Sequence, residues 1–352
     1  MTVVFPFVTW WYRCEADFCH WNKKKFRHSH FMFFLIHFHF GLQMLNSEED
    51  SLSSLPRRML PWVSAIVWPL MLTMPLVMTS PYSPTSYEQL FPRNWYDYDP
   101  AVDSPKPLGL TLGILAVFIG QVFLWIIFYL FKYGHLSGND EPLSIQTKGA
   151  RPYVFWEGLM THVSQPEGFV LLGGYLSGTW MFKLMPASYY SFEGGIQWPQ
   201  LFACLLVQDS IQYVMHRLEH DVSPVFYKWS HKPHHRFTNP RLFDAFNGSL
   251  LDTLCMITIP LYITANLIHI NVWTYMAFGS MYANWLTLIH SEYAFPWDGF
   301  FHLIKFGTPA DHHVHHAFFK HNFGHLFMWA DILGGTYKNP AEYAPKAFHE
   351  NV

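Results

Sequence analysis

Apolar residues in this chain fall in long blocks, without the strict alternation of a half-buried strand. Predominantly apolar runs over residues 61–79, 108–131, 168–185 and 199–215 approach the roughly 20 residues that carry an α-helix across a bilayer. A longer run, 250–289, breaks near 269–271 and suffices for two helices in a hairpin. Buried helices of a soluble protein would account for the shorter runs but not for 108–131, which holds no charged residue. The pattern predicts an all-α integral membrane bundle.

Composition agrees with that environment. The chain is 51% hydrophobic and 19% aromatic but only 13% charged, about half the charged fraction of ordinary soluble domains. Basic residues collect in cytosolic loops beside membrane spans. Arg57 and Arg58 precede the first run, whereas Glu88, Asp97, Asp99 and Asp103 outnumber Arg93 and Lys106 in the loop 80–107. The second run returns to Lys132, Lys148 and Arg151, and the loop 187–198 has no Lys or Arg. The fourth run then delivers the chain to Arg217, Lys228, Lys232, Arg236 and Arg241, on the predicted cytosolic side.

Three histidine clusters occupy that side: HRLEH at His216 to His220, HKPHH at His231 to His235, and HHVHH at His312 to His316. The hairpin brings His290, in IHSEY, to the same face. Imidazole suits iron, copper, zinc and nickel. Residues at i, i+3 and i+4 of a helix share a face, so His216 with His220, His231 with His234 and His235, and His312 with His315 and His316 can each converge. His313 and His325 lie beside the third cluster and stay open as candidates. His28, His30, His37, His39, His302 and His321 read as ordinary surface or core histidines among the 22 in the chain.

Other features narrow the chemistry. Cys14, Cys19, Cys204 and Cys255 are scattered, giving neither a thiolate zinc site nor a disulfide framework. In HRLEH the glutamate precedes the second histidine, unlike the H-E-x-x-H of zinc proteases. Asp209, Glu219, Asp244, Asp311 and Asp331 are candidates to hold imidazole N–H groups, or simply capping and solvated carboxylates. Trp180, Tyr213, Trp273, Tyr282 and Trp285 would line a lateral lipid route or serve as packing. A formal net charge of -3, with no long basic run beside the clusters, gives no support to nucleic-acid binding.

Residues 1–60 read as an N-terminal extension and linker of unassigned role, containing KKKFR and the short apolar run FMFFLIHFHFGLQML. Residues 61–198 carry transmembrane helices and loops, 199–343 the catalytic region and 344–352 a tail. A metal transporter would need polar ligands at mid-membrane, which these runs scarcely offer. A bis-histidine haem protein would need paired histidines inside a bundle.

The order HRLEH, HKPHH, an isolated histidine after a hairpin, then H-x-x-H-H resembles the membrane-bound fatty acid hydroxylase and sterol desaturase superfamily over about 208–343. Within it, DHHVHHAFFKHNFGHLFMWADILGGTYKNP is most similar to sterol C-5 desaturases, also called lathosterol oxidases, while HSEYAFPW looks more like sterol C-4 methyl oxidases. His325 stands where the C-5 desaturases usually carry glutamine.

The resemblance implies a histidine-rich cap on the cytosolic side of the helical bundle, holding two non-haem iron ions, in the endoplasmic reticulum membrane. It implies O2 as oxidant and NAD(P)H electrons delivered by a cytochrome b5-type donor. The substrate would be a membrane lipid, foremost a sterol undergoing C-5 desaturation. Sterol C-4 methyl oxidation and fatty acid or sphingolipid hydroxylation are the alternatives. The implied ligands are His216, His220, His231, His234, His235, His290, His312, His315 and His316, with His313 additional.

Overall fold

The computed structural model describes residues 92–95, 105–133, 142–146, 154–163 and 165–343, all within the compact unit Arg58–Val352. The predicted run 61–79, the segment with KKKFR and the tail 344–352 lie outside the described residues, as do His28, His30, His37 and His39. Among the described residues the structure is helical, with two isolated β-bridges and no strand.

Helix α1 spans Pro107–Tyr133 and α2 Phe155–Val163, followed by α3, Pro166–Met181. Helix α4 spans Trp198–Asp221, and the short α5 is Pro224–Trp229. Then come α6, Leu250–Leu267, and α7, Val272–Leu288. The C-terminal part holds α8, Asp298–Ile304, α9, Pro309–Phe318, and α10, Trp329–Gly334. Among the described residues, two helices, α1 and α6, are long and apolar enough to cross a membrane.

The expected hairpin is α6 and α7, and its break has a local cause. Asn271 caps α7 by accepting from Thr274 N at 3.0 Å. Two other runs differ from expectation. The run 168–185 ends early, because the chain leaves α3 at Phe182 and Lys183 takes a left-handed conformation. Sixteen residues rise only about 24 Å, short of the hydrocarbon thickness. The run 199–215 is not a separate element but the first part of α4, which continues through both histidines of HRLEH.

Helices α1 and α7 meet closely at Gly120, where any Cβ would collide with Asn284 and Ser280. Ser280 Oγ donates to the Ala116 carbonyl at 3.2 Å, and Gln121 Nε2 reaches Asn284 Oδ1 and Thr287 Oγ1 at 3.1 Å each. Interhelical packing and such hydrogen bonds hold helices together where lipid replaces water.

A π-helical turn, Leu254–Thr258, interrupts α6 just before Pro260. Proline has no N–H to offer the Met256 carbonyl four residues back. Gln212 Nε2 of α4 donates to that carbonyl instead, at 2.9 Å, and Thr264 Oγ1 donates to Gln208 Oε1 at 3.0 Å. These bonds tie α4 to α6 and so fix the position of His216 and His220 along it.

Candidate metal centre

Each histidine-bearing segment folds for a local reason. Helix α4 runs unbroken, so His216 and His220 share a face. Pro233 has no N–H to offer the Trp229 carbonyl, and His234 and His235 follow it in a 3-10 turn. A capping box starts α9: Thr308 Oγ1 accepts from Asp311 N at 3.3 Å, and Asp311 Oδ2 accepts from Thr308 N at 3.0 Å. His290 follows the end of α7, where its Nδ1 donates to the Leu286 carbonyl at 2.6 Å.

The structure brings nine of the ten candidates into two adjoining groups, with the ligand atoms of each group within 4.8 Å of one another. His216, His220, His231, His235 and His315 form the first; His234, His290, His312 and His316 form the second. The two H-x-x-H-H triplets do not each converge on one point, as helical spacing alone predicts. Each is divided between the groups. On α9 adjacent residues diverge by about 100°, so His312 and His316 share a face and His315 points to the other group.

His313 lies outside both groups, with its Nε2 donating to the Ser291 carbonyl at 3.1 Å. His325 is also outside them, but it stacks on His216 with ring centroids 5.1 Å apart and lies 5.2 Å from His312. His321 contributes its carbonyl, which accepts from His315 Nδ1 at 2.8 Å.

Proton bookkeeping tests whether this set suits a metal. A carbonyl only accepts, so Nδ1 of His216, bonded to Phe323 O at 2.8 Å, must carry the single proton of a neutral imidazole. His231 Nδ1 meets the Asp252 carboxylate at 2.6 Å in the same way. Both Nε2 atoms are then bare lone pairs, yet they lie 2.8 Å apart. The tautomers of His290 and His315 are fixed likewise by the Leu286 and His321 carbonyls. Facing lone pairs repel unless they share a cation. Ligand atoms at 2.0–2.1 Å from one ion sit about 3 Å apart, the spacing observed.

Burial keeps these rings neutral. His231 falls to about 3 by burial alone, and His220 to about 3 by burial and the neighbouring His231. His234 falls to about 4, and His216, His290, His312, His315 and His316 lie well below the usual imidazole range. Neutral imidazole is the metal-binding form.

The candidate carboxylates are arranged differently from expectation. Asp209 accepts from the backbone N–H groups of His325, Leu326 and Phe327, at 3.2, 2.7 and 3.0 Å. Asp331 accepts from Phe323 N and Gly324 N at 2.9 and 2.7 Å. They hold the loop whose Phe323 carbonyl orients His216, instead of touching an imidazole. Asp311 caps α9, and Asp244 pairs with Arg241 at 2.9 Å. Glu219, buried 3.7 Å from His231 Nδ1, is raised to about 9 by burial and the nearby Asp252 charge. Asp252, which holds His231 directly, gave no sequence signal beyond its place at the start of an apolar run.

Comparison with known proteins places this geometry. The fatty acid hydroxylase family model matches residues 201–336, a stretch containing all nine grouped histidines. The chain is 70% identical over 295 residues to the alternative squalene epoxidase of Phaeodactylum tricornutum, covering 83% of this chain and 84% of that protein. It is 26% identical to the sphingolipid C4-hydroxylase of Saccharomyces cerevisiae, covering 66% and 74%. With the Delta(7)-sterol 5(6)-desaturase of Gibberella zeae it shares 31% over 128 residues, covering 36% and 38%. No solved structure gives a significant match. With its histidine groups inside the matched region and a relative this similar along most of its length, the chain belongs to the fatty acid hydroxylase family and is a lipid-modifying oxidoreductase.

Proposed function

We propose that this chain is a membrane-bound di-iron monooxygenase that epoxidises squalene. The observation that carries the reaction class is the pair of adjoining, buried imidazole groups with mutually facing Nε2 atoms. The substrate rests on the 70% identity to an alternative squalene epoxidase. In the overall balance, squalene, O2, two electrons and two protons give the epoxide and water.

His216, His220, His231, His235 and His315 would hold one iron, and His234, His290, His312 and His316 the other. Bound and reduced, the irons supply dioxygen activation. The protein's own groups do the positioning. Asp252 and the carbonyls of Phe323, Leu286 and His321 aim Nε2 of His231, His216, His290 and His315 inward. Electrons would come from NAD(P)H through a cytochrome b5-type donor at the cytosolic face of the endoplasmic reticulum. Arg217, Lys228, Lys232, Arg236 and Arg241, around the histidine segments, support that orientation.

C-5 desaturation of a sterol uses the same centre and is supported by the 31% identity to the Gibberella zeae desaturase. The two reactions differ in the fate of oxygen. Membranes containing the protein are supplied with NADPH, squalene or a Delta(7)-sterol, and 18O2. Epoxidation predicts one 18O atom in the squalene product, whereas a sterol gaining a double bond without label supports desaturation. No product from either lipid with iron-loaded protein overturns both.

A further inference from the structure

Helices α8 and α10 have an inverted polarity. Asp298 of α8 and Asp331 of α10 are 6% and 0% exposed, whereas Phe300, Leu303, Ile332 and Leu333 of the same helices are 60, 76, 45 and 89% exposed. A helix that faces water turns its charges out and its leucines in. The two helices form one body. Met328 N donates to the Lys305 carbonyl and Gly307 N to the Leu326 carbonyl, each at 2.9 Å, and Trp329 Nε1 donates to the Ile304 carbonyl at 3.1 Å.

The segment between α9 and α10 sets the level of this face, because it runs back along α4. Its Phe323 carbonyl meets His216 Nδ1 at 2.8 Å, and its amides at 325–327 meet Asp209. Phe327 and Trp329 then reach Phe202, with ring centroids 5.9 and 6.5 Å away. From His216 to Phe202 the descent along α4 is about 21 Å. Helices α8 and α10 therefore stand beside the apolar stretch 199–215 of α4, not beyond its end.

Non-helical backbone at such a depth has to find its hydrogen-bond partners inside the protein. Here every N–H from 323 to 328 does so. Those of Phe323 and Gly324 donate to Asp331, those of His325, Leu326 and Phe327 to Asp209, and that of Met328 to Lys305. Two buried carboxylates thus serve peptide groups that water would serve in a solvated loop.

We infer that the outer face of α8 and α10 is seated in the bilayer, with phospholipid acyl chains as its partner. The face continues onto the exposed Phe202 of α4, in a chain whose α1 and α6 are long and apolar enough to span. Apolar side chains on interfacial helices bury themselves in this way among the acyl chains. The loop whose Phe323 carbonyl orients His216 is thereby anchored in the membrane, and the first histidine group is held where a lipid reaches it without crossing water. The inference holds whichever lipid is oxidised.

The test places the metal-loaded full chain in phosphatidylcholine vesicles that include a phospholipid with a diazirine on its acyl chain. After photolysis, mass spectrometry of the peptides locates the adducts. Phe300, Leu303, Ile332 and Leu333 should be labelled to within about threefold of Ile114 and Phe118 on α1. Combining Leu303→Glu with Leu333→Glu should lower labelling of α8 and α10 at least about fivefold, with α1 labelling and metal content retained. A labelled α1 beside unlabelled α8 and α10 overturns the inference, since water, a second copy or another protein then covers the face. Undiminished labelling of α8 and α10 in the double variant overturns it as well, by marking the capture as non-specific. If the double variant loses its metal through misfolding, the wild-type pattern decides. Adducts on none of the three helices defeat the membrane reading of the chain and this inference with it.

Discussion

His231 Nδ1 lies 2.6 Å from Asp252 Oδ1, joining the turn after α5 to the first turn of the hairpin helix α6. Ser249 secures the same junction, accepting from Asp252 N at 3.0 Å and donating to the Ser230 carbonyl at 2.6 Å. The carboxylate holds the ring proton at Nδ1 and makes Nε2 a stronger donor to a metal. The position of a first-group histidine is thereby coupled to that of the α6–α7 hairpin.

Removing this carboxylate weakens the first group without deleting a ligand. Asp252→Ala should lower metal affinity roughly 10–100-fold, and Asp252→Asn should do less because its carbonyl still accepts from His231. Competition with a chelator of known affinity measures both. Unchanged affinity in Asp252→Ala would remove Asp252 from the account.

The division of histidines between two groups predicts separable losses. Alanine at His220 or His315 should deplete the first site, alanine at His290 or His316 the second, and all four should abolish turnover. The corresponding changes at His234 and His235 should fall on opposite sites although the residues are adjacent. Metal content per chain checks this. Variants that uniformly lose all metal would mean that the groups act as one cooperative cluster.

His313 is the control within the third cluster. Its Nε2 donates to the Ser291 carbonyl, so His313→Ala should keep full metal content while losing about 1–3 kcal/mol of stability from an unsatisfied buried carbonyl. His28→Ala and His39→Ala should leave turnover nearly unchanged. Loss of metal in His313→Ala would contradict the assignment of its ring to the backbone.

Acid should strip the metal and destabilise the protein left behind. His220 and His231 are depressed to about 3, and His234 to about 4, against about 6.5 in an unfolded chain. Below that value the unfolded state binds more protons than the folded one, so stability falls with pH from about 6.5 toward 3. Glu219, raised to about 9, and Asp209, Asp252 and Asp311, each raised to about 7 by burial, act with the opposite sign, but the depressed histidines, with His216, His235, His290, His312, His315 and His316 also lowered, outnumber them. Melting of chelator-treated protein across pH 7 to 4 should show a falling Tm. A flat profile would contradict the buried neutral rings.

Much of the centre was legible in the sequence because its ligands are chemically distinctive and closely spaced. The hairpin was legible from the break at 269–271, where Asn271 caps α7. Spacing could not show how each triplet divides, since that depends on the 100° divergence of His315 from His316 and on the turn that Pro233 imposes. Asp252 was missed because its partner is 21 positions away and only folding brings them together. Asp209, a sequence candidate to hold an imidazole, has backbone amides of the loop at 325–327 as its partners instead. A polar side chain's neighbours in sequence say little about such distant peptide groups.

The most direct test of the central claim is elemental analysis of the detergent-purified full chain, quantifying iron, zinc, copper and manganese. About two irons per chain are expected from protein produced with ample iron, falling to about one in His315→Ala and in His290→Ala. Stoichiometric zinc with negligible iron under the same conditions, in a protein that forms no oxygenated lipid, would contradict it.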